Sequence, residues 1–317
     1  MSGCKNPDCY LKDGESCALG ESDPKQCKNW SDEVNKSEEA PKVEAETHRV
    51  PWSGSALGPA DMAHLVPRGR SILIGVLGAQ GSGKTMLLTG TYLKCLQGHR
   101  LAGAGFAGSR SLAAWESLAA WSRFDDNARP PSFPPHTPRG TARAPGMLHL
   151  ALRDEAGAFR DVLFTDAPGE WFTRWAVNEN DPEAEGARWV VAHADAFVLL
   201  ADSARLIGKE RGSARREIRD LIERLGNHVG RRPTALVWAK ADHQPKPRIR
   251  EAIQLALETH IPHAVEVSST TDKPDTLPAA IEAVLKPAWW PPKAHALRPA
   301  PLKNTPFLAY RGSYEHA

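Results

Sequence analysis

Residues 72–85 carry the clearest chemical pattern in the chain. An apolar run, residues 72–77, predicts a buried parallel strand, and a glycine-rich turn and a helical pattern follow it. The spacing Gly78-x4-Gly83-Lys84-Thr85 fits the phosphate-binding P-loop, which lies between a strand and a helix. The sequence therefore predicts a nucleotide-binding protein.

Each residue type in this motif has a task. Glycines let the backbone turn tightly and point successive N–H groups at phosphate oxygens. Lys84 is expected to reach the β- and γ-phosphates and Thr85 to offer its hydroxyl to Mg²⁺, while the helix N-terminus adds positive potential. The predicted nucleotide contacts in this segment are Gly78, Gly81, Ser82, Gly83, Lys84 and Thr85.

Length and composition restrict the class of protein. The 317 residues can hold one large α/β domain with appendages, and a hydrophobic fraction of 41% suits a soluble globular chain. The net charge of +2 gives no reason to expect nucleic-acid binding. No apolar run is long enough for a membrane span, and the polar N-terminus lacks the apolar core of a signal peptide. We therefore expect a cytoplasmic protein, in which disulfides are rare.

Four of the five cysteines lie within residues 1–30. In a reducing compartment this clustering favours thiolate ligands to one tetrahedral Zn²⁺, and metal binding would supply folding energy to a segment with few apolar residues. Free cysteines in a tail, or an iron–sulfur or redox role, stay open because the spacing lacks a close Cys-x2-Cys pair. The predicted ligands are Cys4, Cys9, Cys17 and Cys27.

The remaining chain divides by composition. An acidic and polar linker is predicted over residues 31–50, a P-loop nucleotide-binding domain over 51–286 and a proline-rich tail over 287–317. Cys95 lies in the helix after the P-loop and is expected to be packed, not reactive. A second predicted helix carries expected core residues at helical spacing, which are Leu112, Trp115, Leu118 and Trp121.

Strands and helices alternate through the rest of the domain. This alternation predicts a doubly wound, mainly parallel sheet with helices on both faces. Strands are predicted over residues 147–152, 161–166, 195–202, 234–242 and 264–269. Helices are predicted over residues 59–65, 183–194, 218–225 with Gly226 as the stop, 249–257 and 277–285.

Polar residues lie at or just after the carboxyl ends of four of the predicted strands. In a parallel sheet, ligands bind beyond the carboxyl ends of the strands, so we expect these residues to converge on one crevice. They are the P-loop, Asp166-Ala-Pro-Gly169, Ala239-Lys-Ala-Asp242 and Ser268-Ser269.

These motifs, in this order, resemble those of the P-loop GTPases of the translation-factor-related class, over about residues 70–286. The cysteine-rich head and the Pro-Pro-His-Thr-Pro stretch are similar to the bacterial double-GTPase group, proposed to serve in conflict (anti-phage) systems beside a second GTPase. The resemblance implies GTP or GDP and Mg²⁺ as ligands. It also implies GTP hydrolysis that is slow without a partner, and a protein partner bound through the switch loops or the termini.

The resemblance gives roles to five further residues. Asp166 would hold Mg²⁺ through water, and the Gly169 N–H would reach the γ-phosphate. Asp242 would accept both N–H groups on the Watson–Crick edge of guanine, a donor pair that adenine lacks. Lys240 would pack its stem across the base and the P-loop, and Ser268 would support the base through its backbone.

Two residues depart from the pattern of these GTPases. Ala239 stands where Asn or Thr is usual, so one side-chain hydrogen bond of about 1 kcal/mol is missing and guanine preference is expected to weaken. Glu170 follows Gly169, where Ras and Gα place the glutamine that orients the attacking water. A carboxylate there could orient or deprotonate water, but its charge would repel the γ-phosphate.

A proline-rich loop, residues 128–145, is predicted to act as a nucleotide-sensing switch. It should supply the second hydroxyl ligand to Mg²⁺, with Thr137 as the first candidate and Thr141 as the next. Arg139 and Arg143 flank them; the alternatives are a cis arginine finger and, more simply, exposed arginines that keep the loop solvated.

Three functions are compatible with these residues. The first is a Mg²⁺-dependent GTPase that acts as a molecular switch, with loops 128–146 and 166–180 ordered by GTP. The second is a nucleotide-binding scaffold that does not hydrolyse, which Ala239 and Glu170 favour. The third is an ATPase or kinase of another P-loop class, in which residues 239–242 would have no role.

Overall fold

The computed structural model describes residues 3–4, 23–31, 56–65, 71–122 and 145–289. The chain divides into two units, residues 1–50 and 51–317. In the first unit, the short strands β1 (Gly3–Cys4) and β2 (Trp30–Ser31) pair in antiparallel fashion. A 3₁₀ turn covers Pro24–Gln26, and Cys27 beyond it is buried and not in a disulfide.

The second unit is built on a seven-stranded sheet. Its strands are β3 (Ile72–Gly78), β4 (Gly105–Gly108), β5 (Gly146–Arg153), β6 (Phe159–Asp166), β7 (Ala196–Asp202), β8 (Thr234–Ala239) and β9 (Val265–Ser269). They lie in the order β4-β5-β6-β3-β7-β8-β9, and the last five are parallel to one another. Strand β5 is antiparallel to both of its neighbours. The predicted mainly parallel sheet is confirmed.

Eight α-helices belong to the described part of this unit. They are α1 (Lys84–Leu96), α2 (Leu112–Ala120), α3 (Gly169–Val177), α4 (Glu185–His193), α5 (Ser203–Ile207), α6 (Arg211–Val229), α7 (Pro247–His260) and α8 (Thr276–Trp289). Short 3₁₀ helices cover Pro59–His64 and Pro182–Ala184.

Strand β3 is buried on both faces, as its continuous apolar run requires. Successive side chains of a strand point to opposite faces, so alternate residues join different cores. Leu73 and Leu77 belong to a core built with α3, α4, α6 and α7. Ile74 and Val76 belong to a core built with α1, α2 and α8. The helices therefore lie on both faces of the sheet.

The neighbours of β3 are paired to it over different lengths. Strand β7 pairs with β3 from Ile74 to Gly78, whereas β6 pairs with it only from Ile72 to Ile74. Beyond that point the Val76 N–H donates to the Thr165 hydroxyl at 3.0 Å. The backbone ladder between β3 and β6 thus stops before the carboxyl ends, beside the glycine-rich turn that follows β3.

Several short elements differ from the expectation. The stretch 166–180 was expected to be a loop, but its residues 169–177 form α3, and β4 and α5 were not predicted. Short elements carry too few residues for a periodic pattern to stand out. Leu112 and Trp121 were expected in the core but are 44% and 46% exposed, because the nine-residue α2 buries only a narrow face.

The prediction that Gly226 ends its helix is wrong. Helix α6 continues to Val229 and stops at Gly230, whose φ is +59°. A Cβ built at Gly226 would lie 2.7 Å from the His260 carbonyl oxygen of α7. The glycine is therefore needed for the close approach of two helices. Helix α8 likewise passes the predicted boundary at residue 286 and ends at Trp289.

Within the described residues, no helix has both the length and the apolar composition that crossing a membrane would need.

Replacing Gly226 by Ala should lower the free energy of unfolding by about 1–3 kcal/mol, because the added methyl group meets the backbone of α7. Gly212, on the same helix, has nothing within 4 Å of its built Cβ and provides the matched control. Gly212→Ala should stabilise by up to about 1 kcal/mol through helix propensity. Urea denaturation measures both, and stabilisation by Gly226→Ala would contradict the close-approach explanation.

Candidate functional site

A cavity of about 570 Å³ lies at the carboxyl ends of the parallel strands. Four segments that follow β3, β6, β8 and β9 form its wall, and these are the four segments expected to converge. The lining comprises residues 80–87 and 167–170, Leu200, Ala239, Lys240, Asp242, His243, residues 269–271 and Leu277. Its volume is within the range of small-molecule sites.

The turn after β3 enters α1 through Gly83. Its φ of +95° is a left-handed conformation that side-chain-bearing residues rarely adopt, so glycine is required there. No side chain caps α1 at this position. The amides of the first turn therefore stay available to an anion, and the helix dipole favours one there.

Lys84 is the buried cation of the site, with 7% of its surface exposed. Its Nζ donates to the carbonyl oxygens of Gly78 and Ala79, both at 3.0 Å. Burial lowers the pKa of Lys84 to about 8, against the opposing effect of the negative charges on Asp166 and Glu170. A buried ammonium group held by neutral carbonyls would be stabilised by an anionic ligand in the cavity.

Ser82 offers a second group to an anion. The residue is 1% exposed and lines the cavity, and its hydroxyl has no hydrogen-bond partner among the described residues. Leaving a buried hydroxyl unpaired costs about 1–3 kcal/mol. A phosphate oxygen would remove that cost, so the residues present fit a phosphate group.

Thr85 and Asp166 lie together beside Lys84. The Thr85 hydroxyl donates to Asp166 Oδ1 at 3.2 Å, which joins the start of α1 to the end of β6. Hydroxyl and carboxylate oxygens are the hard ligands that Mg²⁺ takes, usually with several waters. This pair therefore fits Mg²⁺ bound next to a nucleotide phosphate.

Gly169 begins α3 in direct contact with the glycine-rich turn. A Cβ at Gly169 would lie 2.3 Å from the Gln80 nitrogen and 2.4 Å from the Ala79 carbonyl carbon. Only glycine allows this approach of two backbones. The next residue, Glu170, lines the cavity and is half-buried. The start of α3 is therefore tied to the turn that would hold the phosphates.

Asp242 lies on the wall formed by the residues after β8 and β9. Its Oδ1 accepts a hydrogen bond from the Thr270 hydroxyl at 2.9 Å, and its Oδ2 lies 3.3 Å from His243 Nε2. The Thr270 hydrogen bond holds the pKa of Asp242 below its usual value, with further help from backbone hydrogen bonding and the charges on His243 and Lys240. An ionised carboxylate lining the cavity can accept hydrogen bonds from two donors of a ligand.

Lys240 links this wall to the glycine-rich turn. Its φ is +54°, an unfavourable conformation for a residue with a side chain. Its Nζ donates to the Gly81 carbonyl oxygen at 2.9 Å and to Asp202 Oδ2 at 2.7 Å. These two bonds hold the strained residue in place and fix the distance between the two ends of the cavity.

Asp202 and Thr270 are site residues that the sequence analysis missed. Asp202 is 7% exposed, accepts from Lys240 and also accepts from the N–H groups of Ala204 and Arg205 at the start of α5. Asp202, like Asp166, stands at the end of a buried strand. The pattern that identified Asp166 could therefore have identified Asp202. Thr270 directly follows the end of β9, one residue beyond the Ser268-Ser269 pair.

Ser268 itself is exposed and does not line the cavity, whereas Ser269, Thr270 and Thr271 do. The predicted backbone contact of Ser268 with a base stays a prediction. Thr137 and Thr141, and the arginines beside them, lie outside the described residues. The chain re-enters the described part at Pro145, and the next residue, Gly146, pairs with Asp166 at the cavity end of the sheet.

The zinc prediction stays a prediction. Cys9, Cys17 and the side chain of Cys4 lie outside the described residues. Cys27 is the one cysteine of the four whose side chain is described, and it is buried. The described residues hold no group of three or more His, Cys, Asp or Glu side chains that could bind a metal ion. Cys95 is buried, and burial raises the pKa of its thiol to about 11, which agrees with a packed, unreactive cysteine.

The fold and this cavity define a P-loop nucleotide-binding protein. Residues 72–289 match the Double-GTPase 2 family, so the chain belongs to that family of P-loop GTPases. The match confirms the resemblance to the double-GTPase group and ends at the last residue of α8. No curated protein matches the chain.

The buried charge of Lys84 should make stability depend on pH. Because its pKa falls from 10.5 to about 8 on folding, the charged form destabilises the folded protein at neutral pH, and this cost disappears as pH rises toward 10.5. This fall in pKa lowers the free energy of unfolding by about 3 kcal/mol at pH 7 and by about 1 kcal/mol at pH 9.5. The stability of the natural protein relative to Lys84→Met should therefore rise by about 2 kcal/mol between these pH values.

Urea denaturation without nucleotide measures this difference. Lys273→Met replaces an exposed lysine and is the control. The difference in free energy of unfolding between the natural protein and this variant should stay within about 0.5 kcal/mol at both pH values. A Lys84→Met difference that does not change with pH would contradict the burial of a charged lysine.

Proposed function

We propose that this protein binds GTP with Mg²⁺, hydrolyses it to GDP and phosphate, and works as a molecular switch. One observation carries the proposal: a buried cation, Lys84, and an ionised carboxylate, Asp242, line the same cavity. This is the charge arrangement that a guanine nucleotide requires, because its phosphates are anionic and its base presents two adjacent N–H donors. Membership of a GTPase family supports the same ligand.

The phosphates would bind at the glycine-rich turn. Lys84, the Ser82 hydroxyl and the first amides of α1 would contact their oxygens, and Thr85 and Asp166 would hold Mg²⁺. Bound Mg²⁺ neutralises charge on the transferred phosphoryl group. The Gly169 N–H would donate to the γ-phosphate, because no side chain separates that backbone from the turn.

The base would bind at Asp242. Its carboxylate would accept from N1–H and the exocyclic amine of guanine, while the Thr270 hydroxyl keeps Oδ1 in place. Adenine has no such donor pair and would leave the carboxylate unpaired. Ala239 removes one further hydrogen bond, so the selectivity rests on Asp242 to an unusual degree.

Coupling of the nucleotide to the rest of the chain would run through α3. Its first residue packs against the turn at Ala79 and Gln80, so a change at the γ-phosphate position would act on α3 directly. The loop before Gly146, which holds Thr137 and Thr141, is joined to β5 at the same end of the sheet. A protein partner that contacts these two segments would bind the GTP and GDP forms of the protein with different affinities.

A second candidate is a nucleotide-binding scaffold that does not hydrolyse. The observation in its favour is Glu170, which lines the cavity close enough to raise the pKa of Lys84. Its negative charge would oppose a γ-phosphate and so disfavour GTP relative to GDP. The proposed roles in a bacterial conflict system and beside a second GTPase rest on the family resemblance alone.

Displacement of a fluorescent GTP analogue should require several-fold more ATP than GTP, because adenine offers no pair of N–H donors to the Asp242 carboxylate. Asp242→Asn should move the preference toward xanthosine triphosphate, whose C2 carbonyl needs a donor. Asp272→Asn changes an exposed carboxylate in the neighbouring loop and should leave the preference unchanged. Equal or tighter binding of ATP by the natural protein would contradict the proposal that Asp242 selects guanine.

Single-turnover phosphate release should be detectable for the natural protein and absent for Lys84→Ala. Such Lys84-dependent release would exclude the scaffold, and its absence with bound GTP would support the scaffold instead. Glu170→Gln should bind GTP several-fold more tightly with little change for GDP, because a like charge near the γ-phosphate is removed. Glu258→Gln, at an exposed position of α7, is the matched control.

A further inference from the structure

The N-terminal half of α6 carries a group of arginines that the proposed function does not use. Arg215, Arg216 and Arg219 are exposed on this helix. Within the described part of the chain, none of these three guanidinium groups has an ion-pair partner. They line a cavity of about 480 Å³ between α6 and α7, to which α7 contributes Ala256 and His260.

Two acidic residues close to these arginines, Glu210 and Glu217, are already engaged with another arginine. Glu217 accepts two hydrogen bonds from Arg205, at 2.7 and 3.1 Å, and Glu210 also accepts from Arg205. Glu179 pairs with Arg224 and His228 farther along α6. The three free arginines therefore face only Asp220 and Glu223 in their cavity, which leaves an excess of positive charge.

The arginine surface continues across α6 toward α3. Arg216 and Asp220 also line a second cavity, of about 340 Å³, whose other wall is formed by α3. On that wall, Ala176 and Val177 are apolar, and Val177 is 74% exposed. The surface thus joins guanidinium groups to one exposed apolar side chain, that of Val177, with a groove on either side of α6.

We propose that this surface of α6 binds an acidic polypeptide segment of a partner protein. Guanidinium groups hold carboxylates through two parallel N–H···O bonds, and three such groups are available on one helix face. An apolar side chain of the partner would cover Val177, whose exposure is otherwise unexplained. This inference goes beyond the nucleotide site, because binding here needs neither GTP nor Mg²⁺.

A polypeptide fits these groups better than a nucleic acid does. Asp220 and Glu223 lie among the arginines, so an occupant must place its anionic groups beside the guanidinium groups and away from these two carboxylates. A polypeptide can separate its charged side chains with uncharged ones, whereas a nucleic acid carries a phosphate at every nucleotide. The chain as a whole carries a net charge of only +2, so no broad positive field supports backbone binding. The exposed apolar side chain of Val177 has no counterpart in a phosphate backbone.

The test is fluorescence anisotropy of a labelled peptide of repeating Glu-Glu-Leu, added to the full chain at low salt. The natural protein should bind it, and binding should weaken as salt rises. The triple variant Arg215→Gln, Arg216→Gln, Arg219→Gln should bind at least about tenfold more weakly. Glutamine is a good helix former, so α6 should remain folded, and circular dichroism checks this.

The matched control is the triple variant Arg100→Gln, Arg231→Gln, Lys286→Gln, which removes the same net charge away from α6. Its affinity should stay within about twofold of the natural protein. Val177→Ser leaves the charge unchanged and should weaken binding several-fold, because it removes only the apolar contact.

Three results would overturn the proposal. The first is no binding of the Glu-Glu-Leu peptide at low salt. The second is an equal loss of affinity in both triple variants. The third is tighter binding of an oligothymidine strand than of the peptide, abolished by the α6 variant, which would make this a nucleic-acid surface.

Discussion

The incomplete pairing of β3 with β6 is the constraint on which the cavity depends. Strand β3 stays bonded to β7 as far as Gly78 but leaves the ladder with β6 after Ile74. Toward its carboxyl end, β3 keeps backbone pairing with β7 only, while the Val76 N–H bonds to the Thr165 hydroxyl on the β6 side and Gly169 packs against the glycine-rich turn that follows. The cavity is therefore a result of strand order and register, with side chains adding its selectivity.

Much of this arrangement could be predicted from the sequence. The apolar run of β3 and the spacing from Gly78 to Thr85 identify the glycine-rich turn, and the rule that parallel strands end at one edge brings Asp166 and Asp242 to the same edge of the sheet. Asp202 and Thr270 were missed because their roles are set by partners far away in sequence, Lys240 and Asp242. Helix α3 was missed because its residues lack a long apolar period, and Gly226 was misread because only tertiary structure reveals α7 beside it.

Two sets of hydrogen bonds connect the segments around the cavity. Lys240 reaches back to Gly81 and Asp202, and Thr85 reaches across to Asp166. The strained backbone of Lys240 is maintained only because both of its bonds are made. A structural change in the residues after β8 would therefore act on the glycine-rich turn after β3. Ala239, which contributes no hydrogen-bonding side chain there, leaves the hydrogen bonds of Lys240 as the main polar link between these two segments.

The contact of Trp171 with Gly186 has a practical consequence. The indole of Trp171 lies where a side chain at position 186 would stand, with ring carbons 2.2 and 2.3 Å from a built Cβ. This ring belongs to α3 and is only partly buried, so any displacement of α3 from α4 changes its exposure to water. Indole emission shifts with the polarity around the ring. The protein thus carries an intrinsic optical reporter on α3, whose first residue packs against the glycine-rich turn, and comparison with Trp171→Phe would isolate it from the other nine tryptophans.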